Sequence, residues 1–309
     1  MPDYREFLRP DTVSRLSRLD IVARLVVEGF ITGLHKSPYH GFSVEFAEYR
    51  PYMPGDPIRD VDWKAYGKTD RLYVKEHEEE TNLKAYLLLD ASGSMAYGSA
   101  DLTKFRYACL IAAALSHLML RQRDAVGLVL FDAGIRRYVP PRSATTHLHT
   151  LLREIQAAEA GADTDLSRTF HDMAERIRRR GLIVVISDFT PTEDCDTLSK
   201  RQDHVGRVLS GLKHFRHRKH EVIVFHLLDP KERDLTFDRE TRFVGLERGA
   251  EVATEPWHIA EEYRRVMREE LDRYRREGRE GMIDYVPVDT AEPFDTVLFS
   301  YLAKRKKLG

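Results

Sequence analysis

The sequence predicts an α/β fold: a doubly wound, mostly parallel sheet with helices on both faces, and an N-terminal α+β extension docked on it. Three observations carry this. From Leu83 onward strand-like and helix-like segments alternate, as parallel sheets require. Tyr86–Leu89 is a short, wholly apolar run, suited to a central strand buried on both faces. Asp90 and Asp188 each follow such a strand, at the carboxyl edge where open α/β sheets place their ligands.

The predicted strands are 84–90, 125–131, 135–139, 182–187, 221–227 and 283–288, and the helices 102–122, 144–159, 165–180, 196–217, 256–279 and 293–305. Only Asp132-Ala133-Gly134 separates Val126–Phe131 from Ile135–Val139, so these read as a hairpin at an antiparallel sheet edge. A second hairpin, 242–252, turns at Glu247–Gly249. Along helix 256–279, Ile259, Tyr263, Val266, Met267, Leu271 and Tyr274 share one face, which reads as core.

The division falls at 1–82, an N-terminal α+β segment, and 83–309. The first part reads as a helix near 13–34, a strand Phe42–Arg50, a Pro/Gly-punctuated loop and a strand Arg71–Glu78. No Gly/Ser stretch separates it from the rest, so docking is expected rather than tethering.

Composition excludes several classes of protein. With 49 Lys plus Arg against 50 Asp plus Glu, nothing in the charge balance calls for nucleic acid. Hydrophobic residues make up 42% of the 309, enough for a substantial core. The two cysteines, Cys109 and Cys195, form neither a disulfide framework nor a CxxC metal site, which fits a reducing, cytoplasmic compartment. The N-terminus lacks the apolar core of a signal peptide. Leu16–Leu34 is interrupted by Arg18, Asp20, Arg24 and Glu28, so no membrane span is expected. The run Lys304–Lys307 reads as a solvated helix end.

The chemistry concentrates in Asp90-x-Ser92-x-Ser94, where an apolar strand runs into a turn before a helix. Magnesium takes six oxygens at about 2.0–2.1 Å, and short hydroxyl and carboxylate side chains at alternate positions of a tight loop suit it. A Ser-rich turn capping a helix is the plainer reading of the two serines alone. The remaining ligands must come from other loops at the same edge. Thr164, in Gly161–Leu166, offers a hydroxyl while Asp165 or Thr164 caps the following helix, and Ile183–Ile186 delivers Ser187 and Asp188. Asp132 and Asp229 also end strands but read as turn residues.

Together these residues closely resemble the metal-ion-dependent adhesion site of von Willebrand factor A domains. The resemblance implies that Ser92 and Ser94 coordinate directly, Thr164 directly or through water, and Asp90 and Asp188 directly or through water according to state. Two carboxylates only neutralise a divalent ion, so an outside carboxylate would find an electropositive corner. In the resembled family a partner protein supplies it. Ala162-Asp163 before Thr164 departs from the usual Gly-Gly-Thr pattern, and an Asp163 facing the ion would weaken demand for the partner. The ion is expected to be magnesium, with manganese or calcium as alternatives.

The block from Glu28 to Asn82, EGFITGLHKSPYHGFSVEFAEYRPYMPGDPIRDVDWKAYGKTDRLYVKEHEEETN, resembles the signature of the family known as domain of unknown function 58, in which it precedes a von Willebrand A-like domain. That resemblance implies association with MoxR-type AAA+ ATPases. Read physically, Arg50, Arg59, Asp60, Asp62 and Trp63 suggest a salt-bridged, aromatic-plugged seam.

Other signals fail. Gly67-Lys68-Thr69 lacks the first glycine of a Walker A loop, since Asp62 stands there. Ser92 has no nucleophile-elbow glycines. His214, His217 and His220 are interleaved with Arg216, Arg218 and Lys219 and read as a basic helix end; His147 and His149 read as surface residues. The expected function is therefore a metal-dependent protein-binding module, an adaptor or co-chaperone without catalytic residues. The alternative is a hydrolase using an Asp90/Asp188 ion.

Overall fold

The computed structural model describes residues 49–53, 63, 66–67, 70–75, 83–161, 163–191, 197–247, 249 and 251–308. They fall in two compact units divided between Asn82 and Leu83. In the first, β1 (Tyr49–Pro51) pairs antiparallel with β2 (Tyr73–Lys75), Arg50 opposite Val74. Trp63 is exposed and meets Tyr66 edge-on at 6.2 Å. The expected helix near 13–34, most of strand 42–50 and the seam residues Arg59, Asp60 and Asp62 lie outside the described residues.

The larger unit is a six-stranded sheet. In chain order it comprises β3 (Lys84–Asp90), a 3₁₀ turn (Gly93–Ala96), α1 (Lys104–Arg121), β4 (Ala125–Phe131), β5 (Ile135–Arg142), α2 (His147–Ala157), α3 (Leu166–Arg176), β6 (Leu182–Ser187), α4 (Leu198–His217), β7 (Glu221–Leu228), α5 (Pro230–Asp234), β8 (Thr241–Val244), β9 (Glu251–Thr254), α6 (Pro256–Glu280), β10 (Ile283–Asp289) and α7 (Phe294–Leu308). The spatial order is β10-β7-β6-β3-β4-β5, and only the β4–β5 pair is antiparallel. Strand order therefore reverses between β3 and β6, the switch point at whose carboxyl ends open α/β sheets bind ligands. Both edge strands carry proline, Pro140 and Pro141 in β5 and Pro287 in β10.

Side chains alternate across β3 as a pleated strand demands. Ala85, Leu87 and Leu89 face a core shared with α1, α2 and α7. Tyr86 and Leu88 face the other core, under α3, α4 and α6, where Phe170 meets Phe131, Phe189 and Phe215 edge-on at 5.7, 6.3 and 6.2 Å. Small residues on α1, Ala108 and Ala112–Ala114, let its backbone approach the sheet.

Several expectations are corrected. Helix α1 starts at Lys104 because the Thr103 hydroxyl caps it, accepting from the Arg106 N–H at 3.1 Å. Helix α3 ends at Arg176, short of 180, because the chain must reach Gly181, where a Cβ would fall 2.1 Å from the Lys84 carbonyl. The short α5 was not expected; Asp229 caps it, accepting from the Lys231 N–H at 2.9 Å, with Pro230 at its first position. Ile259 is 45% exposed, because the first half of α6 turns Pro256 and Ala260 inward instead, while Leu271 and Tyr274 are buried further along. His147 and His220 are buried rather than superficial, each pinned by a carbonyl: Val126 at 3.0 Å and Ile177 at 3.1 Å.

Among the described residues no helix is long and apolar enough to cross a membrane.

Candidate functional site

Asp90 ends β3 and is fully buried at the point where strand order reverses. Its Oδ1 accepts the Ser92 backbone N–H at 2.9 Å, and its Oδ2 accepts the Ser187 hydroxyl at 2.5 Å. The turn closes on itself: the Ser92 and Ser94 hydroxyls lie 3.2 Å apart, and Ser94 donates to Asp188 Oδ1 at 3.3 Å. Asp90, Ser92, Ser94 and Asp188 thus form one buried cluster at one edge of the sheet.

Asp188 is braced from below. His226 Nε2 donates to its carbonyl at 2.8 Å while the Tyr285 hydroxyl donates to His226 Nδ1 at 2.6 Å. Burial lowers the His226 pKa to about 4, so it is a neutral strut. The next residue, Phe189, has a left-handed φ of 50°, and its carbonyl accepts from His204 at 3.1 Å. A non-glycine residue in that region is uncommon, and here the surrounding hydrogen bonds hold it.

Thr164 stands in the α2–α3 loop, which is tied to the Asp90–Ser94 turn where Gly161 N–H meets the Ala91 carbonyl at 3.2 Å. The Thr164 hydroxyl is buried without a hydrogen-bond partner. Asp165, not Thr164, caps α3, accepting from the Arg168 N–H at 3.1 Å. Asp132 and Asp229 are turn and cap residues. Asp132 accepts from Gly134 N–H at 3.3 Å; Asp229 accepts from Ser99 N–H at 2.8 Å as well as capping α5.

Three residues of the site were not anticipated. The Lys104 ammonium, wholly buried, donates to Asp188 Oδ2 at 2.7 Å and to Glu232 Oε2 at 2.6 Å. Glu247, at the turn between β8 and β9, accepts the Thr164 N–H on Oε2 at 3.4 Å, and its Oε1 is buried with no hydrogen bond of ordinary geometry. One sequence signal was available for Lys104: a cation in the first turn of a helix opposes the macrodipole, so something must hold it there. A polar residue at a hairpin tip is commonplace, and Glu247 gave no such signal.

The electrostatics follow from burial. Desolvation, then the Asp188 charge, raise the Asp90 pKa. Desolvation pushes Asp188 upward too, but the Lys104 ammonium overrides it and holds the carboxyl below its ordinary range. Glu232 and Glu247 are each lifted to about 7, chiefly by burial, with Asp188 repelling both.

The donor set suits a hard divalent cation. It offers two carboxylates, three hydroxyls and an orphaned threonine oxygen among those three, with more negative charge than Lys104 balances. Among the described residues no three His, Cys, Asp or Glu side chains converge at metal-ligand spacing, so any such centre depends on the hydroxyls. Beside Ser94 opens a largely apolar groove of about 550 Å³, floored by Tyr97 and Glu232 and walled by Phe243, Val252, Ile259 and Tyr263.

The fold and this edge define an α/β protein with a mostly parallel, doubly wound sheet and a hydroxyl–carboxylate cluster at its switch point. The chain belongs to the family described as Protein of unknown function DUF58, which matches residues 48–276. It is 29% identical over 230 residues to the Mycobacterium tuberculosis protein Rv1480, covering 73% of this chain and 68% of that protein. It is 25% identical over 165 residues to Bacillus subtilis YeaD, 53% of this chain and 39% of that protein. Among solved structures, the conserved hypothetical protein BatB of Bacteroides thetaiotaomicron aligns over 73% of this chain and 99% of that chain, at 15% identity and a TM-score of 0.45. A likeness at that level carries no functional content.

Proposed function

We propose that this DUF58 protein is a divalent-cation-dependent protein-binding module of von Willebrand A-like type. Asp90, Ser92, Ser94, Thr164 and Asp188 would hold the ion, a magnesium-class cation by the hardness of its oxygen donors. When bound, the ion would supply an electropositive corner that accepts a carboxylate from a partner protein. The chain's own residues do the positioning: Ser187 and the Ser92 amide orient Asp90, and Lys104 and His226 fix Asp188.

The observation that carries this reading is the buried cluster of two carboxylates and two serines at the switch point, with the Thr164 hydroxyl of the neighbouring loop buried and partnerless. The adjacent apolar groove supports a protein ligand over a small metabolite, since it offers hydrophobic area beside the acidic anchor point. A role as adaptor or co-chaperone to a MoxR-type AAA+ ATPase follows from the family resemblance alone, and a cytoplasmic location from the cysteine usage.

The test is affinity capture from native lysate with the whole protein as bait, in magnesium, in EDTA and with Asp90→Ala. A protein retained only by wild type in magnesium supports the reading, and an AAA+ ATPase among such proteins supports the adaptor role. Identical capture in all three arms rejects it. One observation favours metal-assisted hydrolysis instead: the Glu247 carboxyl, with a pKa near 7, suits a general base. Turnover of phosphate or ester substrates that vanishes in Asp90→Ala would establish that alternative.

A further inference from the structure

The hairpin β8–β9 is built on the candidate site rather than beside it. A Cβ on Gly93, in the middle of the Asp90–Ser94 turn, would lie 2.7 Å from the Leu246 carbonyl and 3.1 Å from Glu247 Cγ. Only glycine lets the hairpin tip approach so closely. That approach brings the Glu247 carboxylate against the Thr164 amide, next to the Thr164 hydroxyl that has no partner. Thr164 Oγ1 is buried without a partner, and the buried Glu247 carboxylate has only the Thr164 and Ser94 amides, Oε1 lacking a hydrogen bond of ordinary geometry, a costly arrangement that a cation would relieve.

Besides this, the hairpin is held where Phe243 meets Phe237 edge-on at 5.2 Å. Val244, Leu246 and Val252 are each about half exposed, and its strands are four residues long. A two-stranded ribbon with outward-facing apolar residues is marginal alone. Its docking therefore depends on the Phe243 contact and on what its tip touches.

We infer that Glu247 is the in-chain carboxylate of this site: the hairpin tip fills the corner that an acidic partner would take, and a partner engages by displacing it. The inference rests on the metal reading above and adds its regulation. Closed, the hairpin covers the Ser94 side of the cluster and walls the groove with Phe243 and Val252. Displaced, it releases both the carboxylate position and the apolar surface beneath. An acidic side chain next to an apolar one is the ligand chemistry that would gain from both.

Magnesium alone is the probe. Its affinity is measured by calorimetry for wild type, Glu247→Gln and Glu251→Gln, and backbone deuterium exchange over 241–254 is followed with and without the ion. Glu251 sits in the same hairpin and pairs only peripherally with Arg242, at 3.5 Å, so its variant removes the same charge away from the site. The expected result is magnesium-dependent protection of the hairpin in wild type and Glu251→Gln. Glu247→Gln should lose that protection and bind magnesium about tenfold more weakly, the scale of one charge-assisted contact. Equal affinity in all three proteins, with hairpin exchange indifferent to magnesium, would overturn this inference and leave the metal reading standing. Failure of wild type to bind magnesium would overturn both.

Discussion

Lys104 donates to Asp188 across 2.7 Å, with both side chains withdrawn from solvent. A cation is thus built into the same carboxylate that the switch point presents as a ligand. Removing one partner of a buried ion pair leaves the other charged and uncompensated, which typically costs about 3–5 kcal/mol. Lys104→Met should therefore destabilise the protein by that order in urea unfolding. Magnesium should recover part of the loss, making the variant's midpoint more metal-dependent than that of wild type.

The Glu247 carboxyl predicts a pH dependence. Its folded pKa of about 7 lies above the ordinary 4.5. The folded state therefore binds the proton more tightly, and the contribution to stability is full below 4.5 and lost as pH rises through 7. In EDTA, wild type should lose stability relative to Glu247→Gln between pH 5 and pH 8. Parallel urea titrations of the two proteins at both pH values read this directly; a constant difference would contradict it.

Gly93→Ala tests the docking of the hairpin independently of charge. The added methyl meets backbone at Leu246, which has no flexible end to move aside. The hairpin should lift, at a cost of about 1–3 kcal/mol, as overpacked sites do. Limited proteolysis should then cut within 241–254 while the six-stranded sheet keeps its slow exchange.

Phe170→Ala should cost about 3–5 kcal/mol, the usual range for deleting a core aromatic. Phe170 is fully buried and touches three other rings, and Gly211 of α4 packs on it so closely that a Cβ there would fall 2.9 Å from the Phe170 Cβ. Thermal unfolding measures the loss.

Much of this architecture was legible in the sequence because it rests on short-range pattern. Strand β3 ends at Asp90 and β6 at Ser187, as apolar runs followed by polar turns dictate. The hairpin at Glu247–Gly249 was legible from turn chemistry, but what its tip touches was not. Glu247 meets Thr164, 83 residues away in sequence, a pairing set by how the chain returns over the sheet edge. Glu232 was hidden for the same reason, since it sits on a helix of five residues that only its cap reveals. Buried His147 and His220 read as polar surface because periodicity records side-chain character, not the carbonyl waiting opposite.

The prolines at the two margins of the sheet bear on how any protein could attach. Pro140, Pro141 and Pro287 lack the amide hydrogen that an incoming strand would need, so neither margin can readily be extended by β-augmentation, whether by a peptide or by another copy of the chain. Aggregation through open strands is discouraged by the same means. Recognition is steered away from the ladder and toward the ends of the strands, where side chains rather than main chain select the ligand.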